Sequence, residues 1–138
     1  MSRALVILTL AASLAPSAMA VQAGAVEVIF ATPGADEAGV SLSTPIRLQF
    51  SAHLDASTLT DQIALAYSPE DSRERGEPEP PPIDFSTRYD GADRALTIRP
   101  TKPWERFREV RLTLGDGIRS AAGERLQPFS LTFTTGGS

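Results

Sequence analysis

His53 is the only histidine in this 138-residue chain, and Asp55 and Ser57 follow it closely. These are the residue types of nucleophilic hydrolysis: a serine to attack, an imidazole to take its proton, and a carboxylate to hold one imidazole tautomer. Asp55 is by type able to hold a tautomer of His53, but its expected role is capping, and the chain has no Gly-x-Ser-x-Gly elbow to expose a serine. No catalytic residue is therefore expected, and the chain reads as a non-enzyme. The absence of cysteine removes thiolate metal sites, disulfides, a cysteine nucleophile and attachment through a lipobox. Calcium takes carboxylates and carbonyls from loops, so Asp90, Asp93, Asp116 and the Glu70-Asp71 pair are donors by type. None has the spacing of a calcium loop, and turn formation accounts for Asp90 and Asp116. No metal and no cofactor are expected. Glycoside hydrolysis needs two carboxylates fixed across a cleft, whereas nearly all carboxylates here fall in turns or in one proline-rich stretch.

Aromatic and basic residues are equally noncommittal. Tyr67, Tyr89, Trp104 and Phe107 stand at strand ends, where core or rim packing is expected ahead of a sugar platform. Arg73, Arg75, Arg99, Lys102, Arg106, Arg108 and Arg111 form a scattered basic set. From Arg99 to Arg111 they alternate with apolar residues, the pattern of a solvated strand face; contact with an anionic surface polymer is the second option.

The elements that must position these residues are strands. Ile46-Arg47-Leu48-Gln49-Phe50 alternates apolar and polar residues strictly, which marks a strand with one buried and one wet face. The same code recurs over 26–30, 63–67, 83–89, 95–99, 110–114 and 129–134, bounded by Gly, Pro and Asp turn chemistry. Seven short alternating segments without a helical period predict an all-β, antiparallel sandwich over 26–135. After the second strand, Asp55 is expected to cap a brief helical turn that Leu59 pins to the core.

Residues 68–82 differ in kind. They hold five acidic side chains, two basic ones and five prolines, with no large apolar residue. Such a segment predicts a Pro/Glu-rich loop insertion following an extended, polyproline-like path. It is expected as a solvated insertion; as a partner-binding loop its contacts would be Glu70, Asp71, Arg73, Arg75, Glu77 and Glu79.

Residues 1–20 read as a secretory signal peptide. Arg3 supplies the positive start, 4–15 an apolar run, and Ala18-Met19-Ala20 the small-x-small cleavage pattern. The run is shorter than the roughly 20 apolar residues of a membrane span, so no transmembrane segment is expected after cleavage. Residues 21–25 form a flexible leader. The net charge of −4 gives no reason to expect a nucleic acid partner.

The order of these features resembles the bacterial Ig-like domains of the SbsA type, found in S-layer and other exported proteins. Pro33, Phe50-Ser51, Leu54-Asp55, Thr58-Leu59, Leu96-Thr97-Ile98-Arg99-Pro100, Ala122-Gly123-Glu124-Arg125-Leu126 and Phe133-Thr134-Thr135 stand where that pattern has its marks. Two departures stand out. Phe107 and Val110 replace a Gly and Tyr before the penultimate strand, so Trp104 and Phe107 are expected to close that end by packing. Ser120 replaces an Asp before the Ala-Gly turn. The resemblance makes the expected β-sandwich Ig-like and implies a structural or adhesive module in the periplasm or at the cell surface, binding an envelope protein or glycan. The alternative is a periplasmic small-ligand or metal carrier resembling the copper-resistance Ig-like proteins. Those carry histidines at the mature N-terminus and in loops, as copper(II) favours nitrogen donors; here only His53 is available.

Overall fold

The computed structural model describes residues 25–138; the signal peptide and its cleavage site lie outside the described residues. Seven strands form: β1 (Val28–Thr32), β2 (Ile46–Phe50), β3 (Ile63–Tyr67), β4 (Phe85–Asp90), β5 (Ala95–Pro100), β6 (Glu109–Leu114) and β7 (Phe129–Thr134). They make two antiparallel sheets, one ordered β1-β2-β5-β4 and the other β3-β6-β7. In the lettering of immunoglobulin domains this is A-B-E-D facing C-F-G. The expected Ig-like sandwich is observed.

Alternation decides which side chains meet between the sheets. Ile46, Leu48 and Phe50 of β2, Leu96 and Ile98 of β5, Val110 and Leu112 of β6, and Leu131 and Phe133 of β7 are all almost completely buried. Their interleaved partners Arg47, Gln49, Thr97, Arg111 and Thr132 remain partly exposed. Trp104, from the β5–β6 connection, drives its ring edge-on into Phe133, with centroids 5.5 Å apart and planes at 76°. Its indole N–H donates to the Thr44 carbonyl at 2.8 Å, so the polar end of a buried aromatic is satisfied.

β1 departs from the in-out code. It runs two residues later than the expected 26–30, and its register shifts between Val28 and Phe30. This bulge opposes an extra residue to β2. As a result Ile29 and Phe30 both face solvent, at 58% and 54% exposure. Val26, ahead of the strand, is buried and exchanges backbone bonds with the turn before β7: its N–H reaches the Arg125 carbonyl, and Gln127 N–H reaches its own.

Both edges of the three-stranded sheet are covered. Residues 36–40 lie along β7, where Asp36 N–H donates to Thr132, Val40 N–H to Thr134, and Thr134 N–H to the Glu37 carbonyl. Residues 82–83 lie along β3, where Ile83 N–H reaches the Leu65 carbonyl at 3.1 Å. Covering an edge removes a template for pairing with another chain. Gly123 has φ of +85° in the turn before β7, a conformation open to glycine without strain, and its N–H closes on the Ser120 carbonyl at 2.9 Å.

Candidate functional site

Residues 68–82 do not follow an extended path throughout, because their first half is helical. Ser68, buried at the end of β3, accepts the Asp71 N–H on its Oγ at 3.3 Å and caps a helix α1 (Pro69–Glu74). The local sequence explains this turn. Serine is a favoured cap, Pro69 occupies the first helical position where its missing N–H is harmless, and Glu70 and Asp71 lie at the positive end of the helix. Gly76, at φ +77°, ends it.

Arg108 is what holds the helix down. It precedes β6, is 3% exposed, and its guanidinium touches three carboxylates from three places in the chain. Nε donates to Asp71 in α1. Nη2 donates to Glu77 just beyond α1 at 3.0 Å, and Nη1 to Glu105 at 2.6 Å. The flat face of the same group lies 4.4 Å from the Tyr67 ring centre, close enough for a cation–π contact. Burial alone would discourage this charge, but the hydrogen bonds that Arg108 donates to Glu77 and Asp71, with the charges of both, outweigh it and hold Arg108 above its ordinary arginine value.

The surrounding backbone locks the group in place. Thr135 Oγ1 accepts the Arg108 N–H at 2.9 Å and donates to the Glu105 carbonyl at 2.6 Å. Tyr67 Oη accepts the Glu105 N–H at 2.9 Å. Burial pushes the Tyr67 phenol above its ordinary value, aided by the Glu105 charge and opposed by that backbone bond and by Arg108. Among the described residues no buried side-chain nitrogen or oxygen lacks a partner. Through Asp71 and Glu77 the cluster attaches the insertion to the sandwich.

The structure therefore divides the candidate loop contacts in two. Asp71 and Glu77 turn inward to Arg108. Arg75 lies along the seam, with Nε 3.3 Å from Asp71 and Nη2 donating to the Phe107 carbonyl at 2.7 Å. Glu70, Arg73 and Glu79 stay exposed, Glu70 at 3.6 Å from Arg111. A cleft of about 230 Å³ opens between Pro81-Pro82-Ile83 and Lys102-Pro103, with Tyr67 and Glu105 of the cluster in its lining. Asp55 lies at the far end of the sheets. Its Oδ1 accepts the Ser57 N–H at 3.1 Å and caps a 3-10 turn, Ala56–Leu59.

Phe107 corrects an expectation. It does not close the end of the barrel with Trp104 but stands 67% exposed, because a left-handed backbone, φ +54°, turns it away from the core. Backbone-bound tyrosines do occur here, at Tyr67 and at Tyr89, whose Oη accepts the Leu54 N–H at 2.8 Å. Arg108, read in sequence as one of a solvated basic set, is the central residue of the cluster. No local spacing marks it. His53 is exposed and contributes its carbonyl to Ala121 N–H. Among the described residues no three His, Cys, Asp or Glu side chains stand together as metal ligands.

A sequence model described as "Bacterial Ig-like domain" matches residues 22–135. The chain belongs to this bacterial Ig-like family. No curated protein matches it significantly. Among solved structures, the N-terminal part of the bacterial S-layer protein SbsC is similar at 11% identity and TM-score 0.58, over 83% of this chain and 24% of that one. A longer SbsC structure is matched over only 14% of its length, so this Ig-like chain spans a small part of those S-layer proteins. PcoC, a methionine-rich copper resistance protein from Escherichia coli, is similar at 18% identity and TM-score 0.58, over 81% of this chain and 99% of PcoC. The LD transpeptidase LdtMt1 is similar at 16% identity and TM-score 0.53, over 82% of this chain and 41% of that one. At these identities the likeness is one of fold.

Proposed function

We propose that this chain is a non-enzymatic, exported Ig-like module of the SbsA type with a structural or binding role in the bacterial cell envelope. The observation that carries the reading is the Arg108 cluster within a family-typical sandwich. Among the described residues, the charge buried around Arg108 is engaged in docking α1, and His53 stands apart from it, exposed. The two perturbed groups, Tyr67 and Arg108, meet each other in the cluster that docks α1, and of the two only Tyr67 also lines the neighbouring cleft. Export is supported by the cleavable pattern Ala18-Met19-Ala20 immediately before the region that the family model matches. One surface such a module offers to a partner is the exposed part of the insertion, Glu70, Arg73 and Glu79.

Fractionation of cells producing the full chain, with N-terminal sequencing of the product, tests the compartment; the expected mature start is Val21, and an uncleaved cytoplasmic protein would refute export. Envelope pull-downs test the loop. Removing the whole insertion would also strip Arg108 of two carboxylates, so the informative variant is Glu70→Lys with Glu79→Lys, which leaves the cluster intact. Loss of partners is the expected result.

A second reading, a copper carrier, draws on the match along nearly the whole of PcoC. Its donors are scarce: the only methionines are Met1 and Met19, and the only histidine is His53. Calorimetric titration with copper decides between them, and tight stoichiometric uptake would favour the carrier.

A further inference from the structure

The outer face of the four-stranded sheet carries a concentration of positive charge that neither the fold nor the insertion uses. Register places it. Thr97 of β5 pairs with Arg47 of β2 on one side and Arg88 of β4 on the other. Two residues along β5, Arg99 pairs with Ser86. Arg47 lies between buried Ile46 and Leu48, and Arg99 follows buried Ile98, so all of these side chains project to the wet face. The three arginines line an open concavity of about 530 Å³ with Ser86, Thr87, Thr97, Asp90 and Asp93.

Three arginines share this concavity with two aspartates, Asp90 and Asp93, which leaves an excess of one positive charge in the lining. Arg47 lies 3.7 Å from Asp93, both side chains well exposed. Arg88 and Arg99 have no carboxylate within 4.0 Å among the described residues. The molecule as a whole is acidic, so this basic face runs against its overall charge.

We propose that this face binds an acidic polysaccharide, with Arg88 and Arg99 as its main contacts and Arg47 as a third. Guanidinium forks grip carboxylates in two parallel hydrogen bonds. Arg47 and Arg88 stand two strand intervals apart, about 10 Å, an interval at which an extended chain of acidic sugars presents every second carboxylate on one side. Ser86 and Thr97, on the same face, supply hydroxyls for the sugar ring. Ala95 is the sole apolar residue of the lining, so the site offers no pocket for the aromatic or aliphatic anchors that protein partners use. This inference rests on the envelope-module reading and names one ligand class for it.

The test titrates the purified chain at low salt with oligogalacturonate, and in parallel with a neutral galactose oligomer, polyphosphate and a polyglutamate peptide. Oligogalacturonate should bind and the neutral oligomer should not, with affinity falling as salt rises. Arg88→Gln with Arg99→Gln should weaken binding by about tenfold or more, while Arg125→Gln, on an exposed arginine outside this face, should leave it unchanged. Equal melting temperatures exclude misfolding. Absence of binding, equal loss in Arg125→Gln, or tighter capture of polyphosphate or polyglutamate would overturn the proposal. Because this is measured in solution, it can fail while export holds, and export can fail while binding holds.

Discussion

One guanidinium joins four separate stretches of the chain. Arg108 brings together Tyr67 at the end of β3, Asp71 in α1, Glu77 after it and Glu105 beside it. Removing the cation would leave three carboxylates crowded around an apolar ring. Arg108→Met should therefore lower unfolding stability by about 3 kcal/mol, the low end for breaking a buried pair, because Glu77 and Glu105 can turn back to water. Denaturant titration measures it, and a loss within experimental error would show that the cluster is ornamental. Tyr67 makes a pH prediction of known sign. Its folded phenol titrates above the ordinary 10.0, so its contribution is complete below pH 10. As pH rises beyond 10 the unfolded chain gives up this proton first, and stability falls until the folded phenol has ionised too. Melting against pH should show that decline, and Tyr67→Phe, though less stable at neutral pH, should lack this part of it.

At the scale of elements, the insertion differs from its expected form over 69–74, where a helix replaces an extended path. Its composition excludes a core, which is why an extended path was expected, yet Ser68 and Pro69 begin a helix that composition averages away. Its stability comes from outside the segment, through Arg108, 31 residues beyond Glu77. A docked helix resists proteases and a released one does not. Trypsin should leave Arg73 and Arg75 intact in the native protein, whereas Arg108→Met should be cut there first; mass spectrometry of early fragments reads the outcome. If wild type and variant are cut at the same rate, the helix is held by other contacts. β1 teaches a related lesson. Its residues alternate on paper, but the bulge at Ile29 is a property of pairing with β2 and is visible only in register. β2, β3 and β7 were legible to the residue because each has one dry face and nothing interrupts the alternation.

For the whole molecule, the two sheets and the β5–β6 connection share a single apolar cluster that includes Trp104. Unfolding should accordingly be one cooperative event. Trp104 is the only tryptophan and is 2% exposed, so its emission should shift red on unfolding, in a curve superimposable on far-ultraviolet circular dichroism. Separate midpoints would mean that one sheet melts without the other. The same view separates two surfaces of opposite character: an acidic insertion at the edge of β3 and an arginine face across β2, β5 and β4. By itself the sequence determined the fold class, the strand positions with one dry face, and the lack of any cysteine chemistry, because these depend on residue type and on a period of two. Only the tertiary structure decided that Arg108 is an anchor, that Phe107 is exposed, and that Arg47, Arg88 and Arg99 stand together. Those facts depend on residues distant in sequence meeting across strands, and no local pattern records such a meeting.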